Sequence, residues 1–260
     1  MYVAQVNFKV INKQLFDQFE EQFEDPIYSL LAAWYQRGQI LRGETVLARR
    51  KTSISVFVNL PDSDALNNNH NNVYVQNAYE RLQKAGLRKP QVQLLSDKPT
   101  EGDACRCANR RAFILTTTYL WAESPLRCSN CFRPIPLYQL PPTYDNSDYY
   151  DVLQWQADYQ ACDRLQMGCA TGERFGLREM EKLDSSLSKR GIEIGNRITA
   201  LTKKPVYYYL FRYRGKSREK ETQRKCPSCA GEWLLKKRWH TIFDFRCDKC
   251  TLLSNLAMSL

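Results

Sequence analysis

The sequence predicts an α+β protein in three parts: an N-terminal ferredoxin-like βαββαβ domain, a central region with four cysteines and several helices, and a C-terminal cysteine ribbon. Two observations predict this arrangement. Strand-like and helix-like patterns follow one another over the first hundred residues, and two cysteine quartets of different spacing occupy the rest of the chain. We therefore place the domain boundaries at residues 1–97, 98–204 and 205–260.

The N-terminal domain begins with a strand at residues 2–10, where apolar and polar residues alternate. Asn12 is a suitable N-cap for a long helix that Pro26 breaks or kinks and Gly38 ends. Two strands, a second helix and a short apolar strand complete the split βαβ pattern. These four elements are predicted at residues 39–49, 52–60, 73–85 and 91–95.

The central region opens with a strand-like segment, FILTTTYLW, at residues 113–121. Two mostly helical stretches follow, at residues 149–166 and 173–203. Glycines predict breaks between the two stretches and again at Gly191. The central region is therefore expected to be mainly helical after its cysteines.

The ten cysteines require a chemical explanation. The N-terminus lacks the basic region and apolar stretch of a signal peptide, and no apolar run reaches the roughly eighteen residues of a membrane span. We therefore expect a cytoplasmic protein with no membrane partner, whose thiols stay reduced. In that setting, paired cysteine spacing favours metal ligands over disulfides.

The C-terminal quartet has the spacing C-x2-C-x17-C-x2-C, which fits the template of a zinc ribbon. Each Cys-x-x-Cys turn places two sulfurs on one side of a tight loop. A hairpin of residues 233–240 against 241–246 would bring two such turns face to face. Four thiolates arranged in this way form a tetrahedral site that suits Zn²⁺. The predicted ligands are Cys226, Cys229, Cys247 and Cys250.

The central quartet has the less usual spacing C-x-C-x20-C-x2-C and also predicts a zinc site. Sharing of ligands between the two quartets is an alternative, but closing the longer loop costs more entropy, so local pairing is favoured. Each site offers four cysteines and no position for water, which indicates two structural Zn²⁺ ions per chain. The predicted ligands of this site are Cys105, Cys107, Cys128 and Cys131.

Two cysteines and both histidines remain outside the predicted sites. On one helix, Cys162 and Cys169 would lie about 10.5 Å apart along the axis, which is too far for a disulfide. Buried free thiols are favoured over a redox or catalytic role. His70 is expected in solvent, and for His240 a surface or nucleic-acid contact is favoured over metal ligation.

The C-terminal region is basic and aromatic, with twelve Lys and Arg against five Asp and Glu in residues 205–260. A strand after Pro205, VYYYLFRYR, would place four rings on one face. The rings either pack into a core or stack on unpaired bases, and the cations form either a solvated face or a phosphate-binding surface. The candidate nucleic-acid contacts are Arg212, Tyr213, Arg214, Lys216, Lys236, Lys237, Arg238 and Trp239.

Several segments resemble a known family. The runs SPLRCSNCFRPIPLYQLP, DYQACDRLQMGC, TKKPVYYYLFRY and RKCPSC with FDFRCDKCTLLSN are similar to bacterial zinc-ribbon-containing proteins of unknown function, for which nucleic-acid binding is inferred from the ribbon. The resemblance covers most of residues 104–260. It implies a ribbon held by the C-terminal quartet. One difference is that Ala230 separates Cys229 from Gly231, where ribbons commonly place glycine directly after the second cysteine.

These observations predict a zinc-binding protein that binds RNA or single-stranded nucleic acid through its basic ribbon. No helix-turn-helix or basic-zipper pattern indicates a duplex reader. The alternative is a protein–protein adaptor with structural zinc, in which the apolar residues of FDFRCDKCTLLSNLAMSL dock a partner. We do not expect an enzyme, because no phosphate-binding glycine loop and no nucleophile–base pair is legible. The sequence leaves the oligomeric state open.

Overall fold

The computed structural model describes residues 1–11, 21–50, 52–96, 98, 103–145 and 148–260. The chain divides into two compact units. The first unit contains Met1–Ala104, Ala122–Ser124 and Arg133–Tyr150, and the second contains Cys105–Trp121, Pro125–Phe132 and Asp151–Leu260. Within the described ranges, no helix is long and apolar enough to cross a membrane.

The first unit is built on a four-stranded antiparallel sheet with the order β2-β3-β1-β4. One helix follows β1 and a second follows β3. The elements are β1 (Tyr2–Lys9), α1 (Glu21–Gln36), β2 (Leu47–Arg50), β3 (Ser53–Leu60), α2 (Val73–Lys84) and β4 (Gln91–Leu94). The predicted helix start at Asn12 lies outside the described residues.

The core of the first unit follows from the periodicity of its sequence. Strand β1 buries every second residue, and α1 buries positions three or four apart, because these spacings place side chains on one face of each element. Trp34 of α1 and Tyr79 of α2 meet edge to face, with ring centroids 6.2 Å apart. The sequence predicted that Pro26 either breaks or kinks this helix. Pro26 lies inside α1, so it does not break the helix.

The second unit contains a six-stranded sheet with the order β6-β5-β7-β10-β9-β8. Strand β7 pairs in parallel with both β5 and β10, and the other pairs are antiparallel. The strands are β5 (Phe113–Leu115), β6 (Leu126–Cys128), β7 (Val206–Leu210), β8 (Leu234–Trp239), β9 (Phe243–Cys247) and β10 (Leu252–Ser254). The strand predicted at residues 113–121 is therefore much shorter than expected.

Two helices of the second unit contact β7, an inner strand all five residues of which are buried. Tyr208 meets Trp155 edge to face, with ring centroids 6.1 Å apart, and its hydroxyl lies 3.2 Å from that of Ser188. The neighbouring Tyr207 and Tyr209 belong to a separate apolar cluster with Phe243. The helices are α3 (Tyr150–Gly168), α4 (Glu173–Glu181), α5 (Ser186–Thr202) and α6 (Arg218–Thr222).

The break predicted at Gly191 is wrong, because Gly191 lies inside α5. The interruption comes earlier, where α4 ends and Ser185 caps α5 by accepting a hydrogen bond from the Ser188 amide. A Cβ atom at Gly191 would lie 2.3 Å from Cε2 of Tyr208. The glycine therefore permits close packing of α5 on β7 and does not mark a helix end.

Candidate metal centres

Among the residues that the structure describes, two groups of side chains place their potential ligand atoms within 4.8 Å of one another, and both consist of four cysteines. The first, here called the central tetrad, contains Cys105, Cys107, Cys128 and Cys131. The second, here called the ribbon tetrad, contains Cys226, Cys229, Cys247 and Cys250. These are the two quartets that the sequence predicts, and the structure brings together the members of each quartet without exchange between them.

The ribbon tetrad is positioned by a loop and by the two strands that follow it. Cys226 and Cys229 lie on the loop before β8, Cys247 ends β9, and Cys250 lies in the turn before β10. The loop is closed by hydrogen bonds from the Cys226 amide to the Gly231 carbonyl (2.9 Å) and from the Ala230 amide to the Cys226 carbonyl (2.8 Å). Local backbone pairing therefore presents the sulfurs on one side.

The residue after the second cysteine of each Cys-x-x-Cys turn adopts a left-handed backbone conformation. The φ angles are +61° at Phe132, +57° at Ala230 and +49° at Thr251. Glycine adopts this conformation at the least cost, which explains its frequent use at this position in ribbons. Ala230 adopts it despite its Cβ atom, so the departure from the family pattern leaves the turn intact.

Backbone amides stabilise the ionised form of one thiol in each tetrad. Hydrogen bonds from the Gly231 amide, and then from the Cys250 and Cys247 thiols, lower the pKa of Cys229 to about 7. At Cys105, burial opposes ionisation, but hydrogen bonds led by the Cys107 amide outweigh it and lower the pKa to about 7.

Other members of the tetrads resist ionisation. Burial, followed by the neighbouring thiols, raises the pKa of Cys247 to about 12, and burial also raises the pKa of Cys226 and Cys128. Four sulfurs so close together cannot all carry negative charge unless a cation lies between them. Ionisation of all four thiols of a tetrad would therefore require a bound cation.

The distances fit a tetrahedral metal site. The Sγ atoms of Cys229 and Cys247 are 3.7 Å apart. A tetrahedral ion with metal–sulfur bonds of about 2.3 Å separates its ligands by about 3.8 Å. This separation is far longer than the roughly 2.05 Å of a disulfide bond. The donor set and the spacing thus both suit a divalent ion that prefers thiolates.

Both tetrads are attached to the same six-stranded sheet. Cys128 ends β6 opposite Phe113 of β5, and Cys247 ends β9 opposite Leu252 of β10. His240, at the turn of the β8–β9 hairpin, connects the two regions. Its Nε2 lies 2.8 Å from the carbonyl oxygen of Ser129, between two central cysteines, and its ring stacks on Phe132 at 5.0 Å. His240 is thus a structural contact between the two regions and does not belong to either tetrad.

The two remaining cysteines lie outside both tetrads. Cys162 is buried in α3, and burial raises the pKa of its thiol to about 11, as expected for a structural residue. Cys169 is exposed just beyond the end of α3, so the expectation of a buried thiol is wrong at this position.

The structure divides the predicted nucleic-acid contacts into exposed cations and paired cations. Lys216, Lys236 and Lys237 are exposed. Arg212 lies 2.8 Å from Glu221, a buried carboxylate, and Arg214 lies 2.9 Å from Glu173.

Arg238 is also paired, because its Nε lies 2.8 Å from the carboxylate of Asp244. The two predicted stacking residues, Tyr213 and Trp239, are half-buried. Trp239 stacks on His240, with ring centroids 5.0 Å apart. The sequence shows that these charged and aromatic residues are present but does not show which ion pairs and ring contacts they form.

An open cleft of about 580 Å³ lies beside Trp239 in the second unit. Its lining includes Arg111, Asn130, Tyr207 and Arg246, which the sequence did not single out for binding. No local pattern could have identified the set, because its members are up to 135 positions apart in the sequence. They meet only because β5, β6, β7 and the β8–β9 hairpin share one sheet.

Comparison with known proteins gives matches without an assigned activity. Three family models match, each described as a "Domain of unknown function": DUF8589 at residues 1–96, DUF2310 at 107–211 and DUF8594 at 215–260. A Haemophilus influenzae protein named "Uncharacterized protein" is 34% identical over 233 residues, which cover 88% of this chain and 89% of the relative. A second Haemophilus influenzae protein of the same name is 37% identical over 174 residues, which cover 67% of this chain and 85% of the relative.

Proposed function

The chain belongs to the same family as these uncharacterised Haemophilus proteins, and we propose that it is a structural zinc protein that binds RNA or single-stranded nucleic acid through its basic ribbon. The metal part of the proposal depends on the two tetrads. Four sulfur ligands in a tetrahedral arrangement suit zinc, and a fully occupied set leaves no position for a reactive water. We therefore propose one structural Zn²⁺ ion in each tetrad and no catalytic residue.

We also propose fold assignments for both ends of the chain. The N-terminal sheet order β2-β3-β1-β4, with helices after β1 and β3, supports a ferredoxin-like domain. Strands β8, β9 and β10 with the two knuckles of the ribbon tetrad support a zinc ribbon. Zinc binding would stabilise the ribbon because the site does not exist in the unfolded chain.

The observation that carries the nucleic-acid proposal is the exposure of Lys236 and Lys237 on β8. Strand β8 is an edge of the six-stranded sheet, and its last residue is Trp239. Each lysine that neutralises a phosphate releases a counterion, which makes binding strong at low salt and weak at high salt. Arg212 and Arg214 contribute less, because Glu221 and Glu173 already pair with them.

Filter binding at several salt concentrations tests the proposal. The zinc-loaded chain is titrated with mixed-sequence single-stranded RNA, single-stranded DNA and duplex DNA. We expect tighter binding of the single strands at low salt. The double variant Lys236→Ala/Lys237→Ala should reduce the slope of log K against log salt by roughly 0.7 per lysine for a single strand.

The matched control removes two exposed helical lysines elsewhere, Lys84→Ala/Lys189→Ala, and should leave the slope unchanged. Absence of single-strand binding at low salt would contradict the proposal. An equal loss of affinity in both double variants would show that only the net charge matters and that β8 is not the binding surface.

The alternative function is an adaptor for another protein. Of the apolar residues predicted to dock a partner, Leu252 and Leu253 are buried in β10, whereas Met258 and Leu260 near the end of the segment are exposed. A different feature favours the adaptor: β4 is an edge strand with Val92 and Leu94 more than 40% exposed. If this edge binds a partner, a protein that co-purifies after nuclease treatment should be lost in Val92→Lys/Leu94→Lys.

A further inference from the structure

The cleft in the second unit lies between the two cysteine regions. Ser129 and Asn130 on one side belong to the turn between Cys128 and Cys131, and Trp239 and Arg246 on the other side belong to the β8–β9 hairpin. Tyr207 of β7, the central strand of the sheet, also lines the cleft. The site thus depends on residues that each metal centre holds in place.

The aromatic and guanidinium groups of the cleft form a compact layer. The Arg246 guanidinium carbon lies 5.0 Å from the ring centre of Tyr207 and 4.8 Å from that of Trp239. Arg246 donates hydrogen bonds to the Asp248 carboxylate (2.5 Å) and to the Tyr207 hydroxyl oxygen (3.0 Å). These contacts fix the layer before any ligand binds. Planar bases stack on aromatic rings and on guanidinium planes of this kind.

The charge of the cleft favours an anion. Asp248 balances the charge of Arg246, whereas Arg111 is exposed and has no ion pair within the part of the chain that the structure describes. No acidic residue is among the described residues that line the cleft. Arg111 therefore adds an uncompensated positive charge beside the aromatic layer, in a position suited to a phosphate.

The amide side chain of Asn130 supplies a polar group with a fixed orientation. Its Nδ2 donates to the Asn109 carbonyl (2.8 Å), and its Oδ1 accepts from the Ser129 hydroxyl (3.2 Å). One N–H and one lone pair of the amide are left over by these two bonds. An amide oriented in this way can bind the edge of a base.

We infer that this cleft binds one unpaired nucleotide, with the base against Arg246 and the partly exposed Trp239, the phosphate on Arg111 and the base edge at Asn130. The inference rests on the proposed function and specifies where a single strand is held. A volume of about 580 Å³ lies within the range of small-ligand sites, about 300–1,000 Å³. The contact between His240 and Ser129 joins the two sides, so the site exists without a ligand.

Calorimetric titration of the zinc-loaded full chain with small ligands tests the inference. The probes are AMP and UMP, the nucleosides adenosine and uridine, and inorganic phosphate. We expect saturable binding of the nucleotides with one site per chain. The nucleosides should bind more weakly because they lack the phosphate, and phosphate alone should bind more weakly because it lacks a ring.

The decisive variant is Arg111→Ala. The Arg111 side chain is exposed, and its removal leaves the aromatic layer unchanged. It should weaken nucleotide binding about tenfold and leave nucleoside binding unchanged, because only the contact to the phosphate is lost. Asn130→Ala should weaken the binding of both. The matched control is Arg174→Ala, an exposed arginine of α4, which should bind nucleotides like the wild type.

The outcomes separate this inference from the proposed function. If single strands bind but mononucleotides do not, or if Arg111→Ala binds them normally, the cleft is not a nucleotide site and the ribbon proposal stands. If mononucleotides bind and lose affinity in Arg111→Ala while single strands do not bind, the cleft is a nucleotide site and the ribbon proposal fails. Zinc content and circular dichroism of each variant verify that the site is intact.

Discussion

Replacement of Gly191 by alanine should destabilise the second unit although it adds a single methyl group inside a helix. A Cβ atom at this position would lie 2.3 Å from Cε2 of Tyr208 and 2.8 Å from Nε1 of Trp155. Both rings are at most 2% exposed, so neither can move away into solvent. The Trp155 indole also donates a hydrogen bond to the Leu187 carbonyl (3.1 Å), which a shift of the ring would break.

The expected magnitude follows from three opposing contributions. Overpacking in a filled core costs about 1–3 kcal/mol, and loss of the indole hydrogen bond costs about 1 kcal/mol. Alanine recovers about 1 kcal/mol relative to glycine in a helix interior. We expect a net loss of about 2–3 kcal/mol in the free energy of unfolding, because both rings are rigidly held. In a chain of this size, the loss corresponds to a fall of roughly 4–12 °C in Tm.

Urea unfolding of the zinc-loaded protein, followed by tryptophan fluorescence and circular dichroism, measures the change. The matched control is Gly168→Ala at the end of α3, where nothing lies within 4 Å of the added Cβ atom. The control should be as stable as the wild type or slightly more stable. A Gly191→Ala variant with unchanged stability, or an equal loss in both variants, would refute the packing argument.

Two further predictions concern the tetrads. Cys229→Ser should lower the zinc content from two ions per chain to one, as measured by metal analysis of purified protein. The control Cys169→Ser, outside both tetrads, should retain two ions. Retention of two ions in Cys229→Ser would contradict the assignment. Zinc affinity should also fall as the pH decreases, because zinc must displace the protons of the tetrad thiols, whose pKa values are about 7 at Cys105 and Cys229 and higher at Cys247. Chelator competition at about pH 8 and about pH 5.5 measures the change, and equal affinities at the two values would exclude thiolate ligation.

The sequence predicted those features of the fold that depend on local patterns. Alternation of apolar residues identified β1, which runs over Tyr2–Lys9, and cysteine spacing identified the members of both tetrads. These signals are local because side-chain direction repeats every two residues in a strand, and because a Cys-x-x-Cys turn brings two sulfurs together without help from the rest of the chain.

The features that the sequence did not predict depend on distant pairing. Strand β7 lies between β5, about ninety positions earlier in the sequence, and β10, about forty-five positions later. No local signal specifies either partner. For the same reason, Gly191 suggested a helix break, although tertiary packing against Tyr208 explains the glycine. A count of charged residues likewise could not predict that Glu221 pairs with Arg212 and neutralises it.

The position of β10 couples the ribbon tetrad to the six-stranded sheet. Among the described strands, the β8–β9 hairpin pairs with the rest of the sheet through β10, which follows it in the sequence. Thr251 alone separates Cys250 from Leu252, the first residue of β10, so fixing the cysteine also fixes the start of the strand that docks the hairpin. A metal ion bound at the tetrad would therefore link the folding of a local hairpin to closure of the whole sheet.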